Sequence, residues 1–158
     1  MRKPTAAAPD LPAPLARSVG FLLAKATQRA AEAMESALRP HSLKSRHYGV
    51  LVVLRERGPK SQQEVADLLA IDRTTMASVV DELEALGLAQ RRPYPGNRRA
   101  HQVSLTERGA ERLAELDGAV READRALTAG LPAAEADELR RLVARVAFPE
   151  RPPAPGRC

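Results

Sequence analysis

Four arginines, Arg91, Arg92, Arg98 and Arg99, fall within nine residues that include no acidic side chain. Between the two pairs lie Pro93, Tyr94, Pro95, Gly96 and Asn97. Guanidinium groups are planar, permanently charged and matched in shape to phosphate oxygens, so a one-sided cluster of them suits the gripping of a polyanion. Upstream, Arg73, Thr74, Thr75 and Ser78 follow Asp72. If Met76, Val79, Val80, Leu83 and Leu86 form the buried stripe of a helix there, those four side chains face outward. Short hydroxyls and an arginine bond phosphates and base edges, and a helix N-terminus itself attracts a phosphate. The plainer alternative is a solvated helix start.

Other chemistry is thinly represented. His41, His47 and His101 are the only histidines. Zinc would have to draw on His41 or His47 with Glu32 or Glu35, yet no His-x-x-x-His or cysteine-rich spacing supports a metal site, and surface or pocket-lining histidines are the simpler reading. The single cysteine, Cys158, sits in a proline-rich tail, where no intramolecular disulfide can form and redox control is not expected. There is no glycine-rich phosphate loop, nucleophile motif or recognisable acid pair, so no enzyme and no required cofactor are expected.

The elements that must position these residues are mainly helical. Aromatic residues are 3% of the 158, and good helix formers dominate. The formal charge of +5 favours polyanionic partners. No run of about 18 apolar residues exists, and prolines interrupt the N-terminus where a secretion signal would need an apolar core, so a cytoplasmic protein with no membrane partner is expected. Residues 1–13 and 149–158, rich in Pro and Ala, are expected to be disordered tails around a single folded body, 14–148.

Within that body, Leu15, Val19, Leu22, Ala26, Ala30, Ala33 and Ala37 mark one face of a long helix that Pro40 ends. A second helix over 44–57 carries Tyr48, Leu51 and Leu54, and stops at Gly58-Pro59. Ser61 and Glu64 have capping-box spacing for a third, with Val65, Leu68 and Leu69 as its apolar side. Asp72 is the N-cap of the fourth, with Ile71 and Met76 at staple positions, and Gly87 ends it. Leu88–Arg92 and His101–Leu105 read as a β-hairpin with a long tip. Thr106 caps a long helix through Leu113, Leu116, Val120, Ala123 and Leu127. Pro132 opens a last one lined by Leu139, Leu142, Val143 and Val146. The helices from Ser61 and Asp72, joined by a tight turn at Ala70 and Ile71, make a helix-turn-helix, and the basic hairpin beside it makes a wing.

The stretches Leu68–Leu88, "LLAIDRTTMASVVDELEALGL", and Arg91–Gly109, "RRPYPGNRRAHQVSLTERG", resemble the MarR (multiple-antibiotic-resistance regulator) family of winged helix-turn-helix transcription factors. The resemblance covers about residues 15–147 in element order. It implies a homodimer whose terminal helices, about 14–40 and 106–148, interlock two subunits, with the winged helix-turn-helix over about 44–105. It also implies a repressor that binds double-stranded DNA at a pseudo-palindromic operator and is relieved by a small ligand. On that reading Arg73, Thr74, Thr75, Ser78, Arg91, Arg98 and Arg99 bind DNA, Arg99 taking the place of the family's wing arginine. Asn97 stands where the family has an aspartate, and an amide there can hydrogen-bond but cannot form an ion pair. The resemblance further suggests Arg46, His47 and Tyr48 as a pocket for a small phenolic effector, with zinc as the other effector class; alternatively Tyr48 is core and Arg46 solvated. The competing function is a winged-helix protein-interaction module without specific DNA binding. The wing arginines and outward hydroxyls weigh against it.

Overall fold

The computed structural model describes residues 11–148, with the side chains of Arg98 and Arg99 left out. Residues 1–10 and 149–158, with Cys158, lie outside the described residues; the expected N-terminal tail is shorter than residues 1–13, because Ala13 already begins a helix.

The first long helix is divided. A short α1, Ala13–Ala16, stops before Ser18, whose side chain accepts the Phe21 N–H at 3.2 Å and caps α2, Val19–Leu38. Serine competes for backbone donors in this way, and here that local bond overrides the unbroken apolar spacing. Pro40 falls in a single 3₁₀ turn, Arg39–His41, which leads through Ser42 in the left-handed region (φ 57°) to α3, Ser45–Arg57. Then come α4, Gln62–Leu69, and α5, Arg73–Ala85.

The hairpin is longer and its tip tighter than the sequence suggests. Strands β1, Ala89–Tyr94, and β2, Asn97–Leu105, pair antiparallel from Ala89 opposite Leu105 to Tyr94 opposite Asn97, with one irregularity between Pro93 and Tyr94. Pairing continues past Pro93 because an edge strand can dispense with that N–H. Only Pro95 and Gly96 are left to turn the chain, and Gly96 takes φ 80°, the positive angle demanded after proline in a type II turn. On the other side of β2, Lys60 and Val103 exchange backbone bonds of 3.0 and 2.7 Å, tying the α3–α4 connection to the wing.

Two long helices complete the chain: α6, Glu107–Thr128, and α7, Ala133–Ala147. Thr106 caps α6 as expected, accepting the Gly109 N–H at 2.9 Å. Leu51 and Leu54 of α3, Val65 and Ala66 of α4, the expected stripe Met76, Val79, Val80 and Leu83 of α5, and Leu113 and Leu116 of α6 share one core. Two faces are rotated from expectation. On α3, His47 and Val50 are buried where Tyr48 is only half-buried, and on α4, Ala66 goes inside while Leu68 is exposed. The expected stripe of α7 is left open: Leu139, Leu142, Val143 and Val146 are exposed, as are Leu15, Val19 and Leu22 at the other end of the chain. Among the described residues no helix is long and apolar enough to cross a membrane.

Candidate nucleic-acid interface

The turn between α4 and α5 is built by local bonds. Ser61 and Glu64 cap α4 reciprocally, Ser61 Oγ accepting the Glu64 N–H at 3.2 Å and Glu64 Oε2 accepting the Ser61 N–H at 2.8 Å. At the far end Ala70 adopts φ 52°, and the Ile71 N–H reaches the Ala66 carbonyl at 3.0 Å. That left-handed residue closes the helix and swings the chain into the next one. Asp72 then caps α5 twice over, its carboxylate accepting the Thr75 N–H at 2.9 Å and the Thr75 hydroxyl at 2.6 Å. Those bonds from Thr75 hold the Asp72 carboxyl below its ordinary pKa.

This cap alters the chemistry of the expected site. The α5 N-terminus already holds the Asp72 carboxylate, the charge its dipole favours, so it is not an open phosphate site. Thr75 likewise uses its hydroxyl within the cap. Arg73, Thr74 and Ser78 remain exposed on the outer face, with Ser78 Oγ donating to Glu82 at 3.2 Å.

The wing arginines are not equivalent. Arg92 is exposed. Arg91 turns back onto α5: its guanidinium pairs with Asp81 at 2.6 Å and with Glu84, while Nε donates to Gln62 at 3.3 Å. Burial opposes the charge of Arg91, but the two carboxylates more than offset it, and its pKa lies above the ordinary arginine value. The sequence shows the charge run of the hairpin but not which edge of β1 faces α5, so the inward turn of Arg91 departs from the expected outward cluster.

Arg46, His47 and Tyr48 do not converge. Consecutive helical residues point about 100° apart. Arg46 and His47 line a cavity of about 370 Å³ beside α5, together with Lys44, Thr74, Ser78 and Glu82. Tyr48 faces α6 instead, donating to Asp117 at 3.1 Å, and Asp117 also takes Arg55 at 2.6 Å. Burial and the Asp117 carboxylate raise the Tyr48 pKa.

His47, only 2% exposed, has both nitrogens assigned. Nδ1 accepts the Lys44 N–H at 3.1 Å, which places the proton of the neutral ring on Nε2. Nε2 lies 3.1 Å from Glu82 Oε2, an electrostatic contact too oblique for a hydrogen bond. Burial lowers the His47 pKa, and the nearby Glu82 opposes the shift only in part. Glu82 is itself held below its ordinary pKa, chiefly by the Lys44 ammonium 3.1 Å away. No three His, Cys, Asp or Glu side chains among the described residues gather as a metal site; His41 is half-buried in its 3₁₀ turn. The supporting residues Lys44, Gln62, Asp81, Glu82 and Glu84 carry no sequence signal beyond their charge or polarity, since their partners come from other elements.

Known proteins share this fold. A model of the MarR family matches residues 41–100. The transcriptional repressor NicR of Pseudomonas putida is 38% identical over 104 residues, 66% of this chain and 66% of NicR. A MarR-family transcriptional regulator from Rhodococcus sp. RHA1 superposes with TM-score 0.76 at 31% identity, over 83% of this chain and 93% of that one. CouR from Rhodococcus jostii RHA1, bound to p-coumaroyl-CoA, gives TM-score 0.77 at 30% identity, over 87% of this chain and 97% of CouR. CouR bound to a 23-mer DNA duplex gives 0.81 at 29%, over 86% and 96%. With its winged helix built as described, the chain belongs to the MarR family, whose members are transcriptional regulators and not enzymes.

Proposed function

We propose that the chain is a homodimeric, sequence-specific DNA-binding repressor that occupies a pseudo-palindromic operator. The observation that carries this reading is the doubly capped start of α5, which presents Arg73, Thr74 and Ser78 on an exposed face beside a two-stranded basic wing. In this arrangement α5 enters the major groove, Arg73 and Ser78 reach base edges, Thr74 positions the helix, Thr75 supports it from within the Asp72 cap, and Arg98 and Arg99 anchor the wing on the neighbouring backbone. The exposed apolar residues of α1, α2 and α7 supply the subunit interface, since a patch of that extent on one chain marks a contact surface. CouR on DNA supports the docking, and NicR supports repression.

The effector is a small phenolic compound, a class suggested by p-coumaroyl-CoA on CouR. Arg46 and His47 offer it a cavity whose walls include Thr74 and Ser78, so occupancy there and DNA binding exclude one another.

A gel shift with the DNA upstream of the chain's own gene tests the reading. A shift at low salt that weakens steeply with added salt is expected. A folded dimer that shifts nothing overturns it in favour of a protein-interaction module.

A further inference from the structure

Glu84 lies in the last turns of α5, opposite the outer edge of β1. One of its oxygens accepts the backbone N–H of Arg91 at 2.5 Å, and the other takes the guanidinium of the same residue. An edge strand presents unpaired donors away from its partner strand, and here a helix side chain captures one of them. The remaining nitrogens are occupied as well: Nη2 holds Asp81 at 2.6 Å and Nε holds Gln62 Oε1 at 3.3 Å. Nε, Nη1 and Nη2 each hold a protein partner, two of them carboxylates, so a phosphate would have to compete with Asp81 and Glu84 for this guanidinium. It links three elements, α4, α5 and the wing, and its side chain is 26% exposed.

We infer that Arg91 is a positioning residue and not a DNA contact: it locks the base of the wing to the recognition helix, so that the two DNA-reaching elements keep a fixed spacing. The inference rests on the DNA-binding reading above and refines it. Two roles compete with positioning. A direct phosphate contact would make Arg91 independent of Glu84. Simple masking of the carboxylates would make removal of the Glu84 charge favourable for DNA binding.

A double-mutant cycle separates them. The full chain is used to enrich a duplex from a randomised pool, and affinities of wild type, Arg91→Gln, Glu84→Gln and the double variant are measured on that duplex by fluorescence anisotropy, with folding checked by thermal melting. Each single change is expected to lower affinity about tenfold, and the double change no further than the worse single, because both remove the same linkage. The slope of log affinity against log salt is expected to stay at the wild-type value in Arg91→Gln, since no phosphate contact is lost. Additive losses, a Glu84→Gln variant that binds as tightly as wild type or tighter, or a slope reduced by about 1 would overturn the inference. If Arg91→Gln does not fold, Arg91→Lys replaces it: lysine keeps the charge but cannot span the three partners, and full affinity in that variant also overturns the inference. Failure of the DNA-binding reading is distinct, because then the wild type itself enriches no duplex.

Discussion

A β-carbon on Gly109 would stand 2.0 Å from the carbonyl oxygen of Leu88 and 2.8 Å from a methyl of Leu105. The first turn of α6 crosses the exit of the recognition helix at backbone contact, where Thr106 donates its hydroxyl to Gly87 at 2.8 Å and its N–H to Leu88 at 3.1 Å. The run from Leu105 to Gly109 is therefore a joint between the winged helix-turn-helix and the helices that flank it.

Gly109→Ala is expected to destabilise the fold by about 3 kcal/mol, the upper range for overpacking, because the obstacle is backbone and cannot rotate away. Thermal melting checks this. A wild-type melting temperature would mean that α6 can slide off Leu88 at no cost.

Ala70 occupies the left-handed region at the turn of the helix-turn-helix, a conformation costing an L-residue roughly 1–2 kcal/mol. Ala70→Gly removes that strain but adds freedom to the unfolded chain, leaving a net gain of about 0.5–1 kcal/mol. Chemical denaturation should show a raised midpoint with an unchanged slope, and a lowered midpoint would contradict the assigned geometry.

Stability should fall in mild acid through His47. Its pKa is lowered by burial, so below its ordinary value of 6.5 the unfolded chain binds a proton that the folded chain refuses. The stabilisation is thus complete above about 6.5 and is lost as pH falls toward the depressed value. Protonation at Nδ1 would also set two donors face to face at the Lys44 N–H. Glu82, whose pKa lies below its ordinary 4.5, contributes its own loss only at lower pH. His47→Gln should flatten the dependence of the unfolding midpoint just below pH 6.5; an unchanged profile would assign it elsewhere.

Arg99→Ala should weaken DNA binding on all sequences alike and lower the salt slope by about 1, the signature of a lost phosphate contact. Arg73→Ala or Ser78→Ala should instead change which base pairs are preferred. Equal loss on every duplex would make Arg73 and Ser78 backbone contacts as well.

Local chemistry was legible in the sequence, and long-range pairing was not. The caps at Ser61, Asp72 and Thr106 and the stripe of α5 follow from residue type and spacing, because each bond closes within a single helical turn. The Ser18 cap has no clear sequence signal because an apolar spacing runs through it, and the rotation of α3 has none because a histidine does not read as core. The inward turn of Arg91 depends on which edge of β1 meets α5, a fact of packing with no local signature. The apolar face of α7 is legible as a stripe, but its exposure appears only when the chain is folded.

Hydroxyl-radical footprinting on the enriched duplex tests the central claim most directly. A dimer presenting two copies of α5 and the wing is expected to leave two related protections about 10 base pairs apart, arranged around a two-fold centre. A single protection without that symmetry, or protection with no preferred position on the duplex, would contradict it.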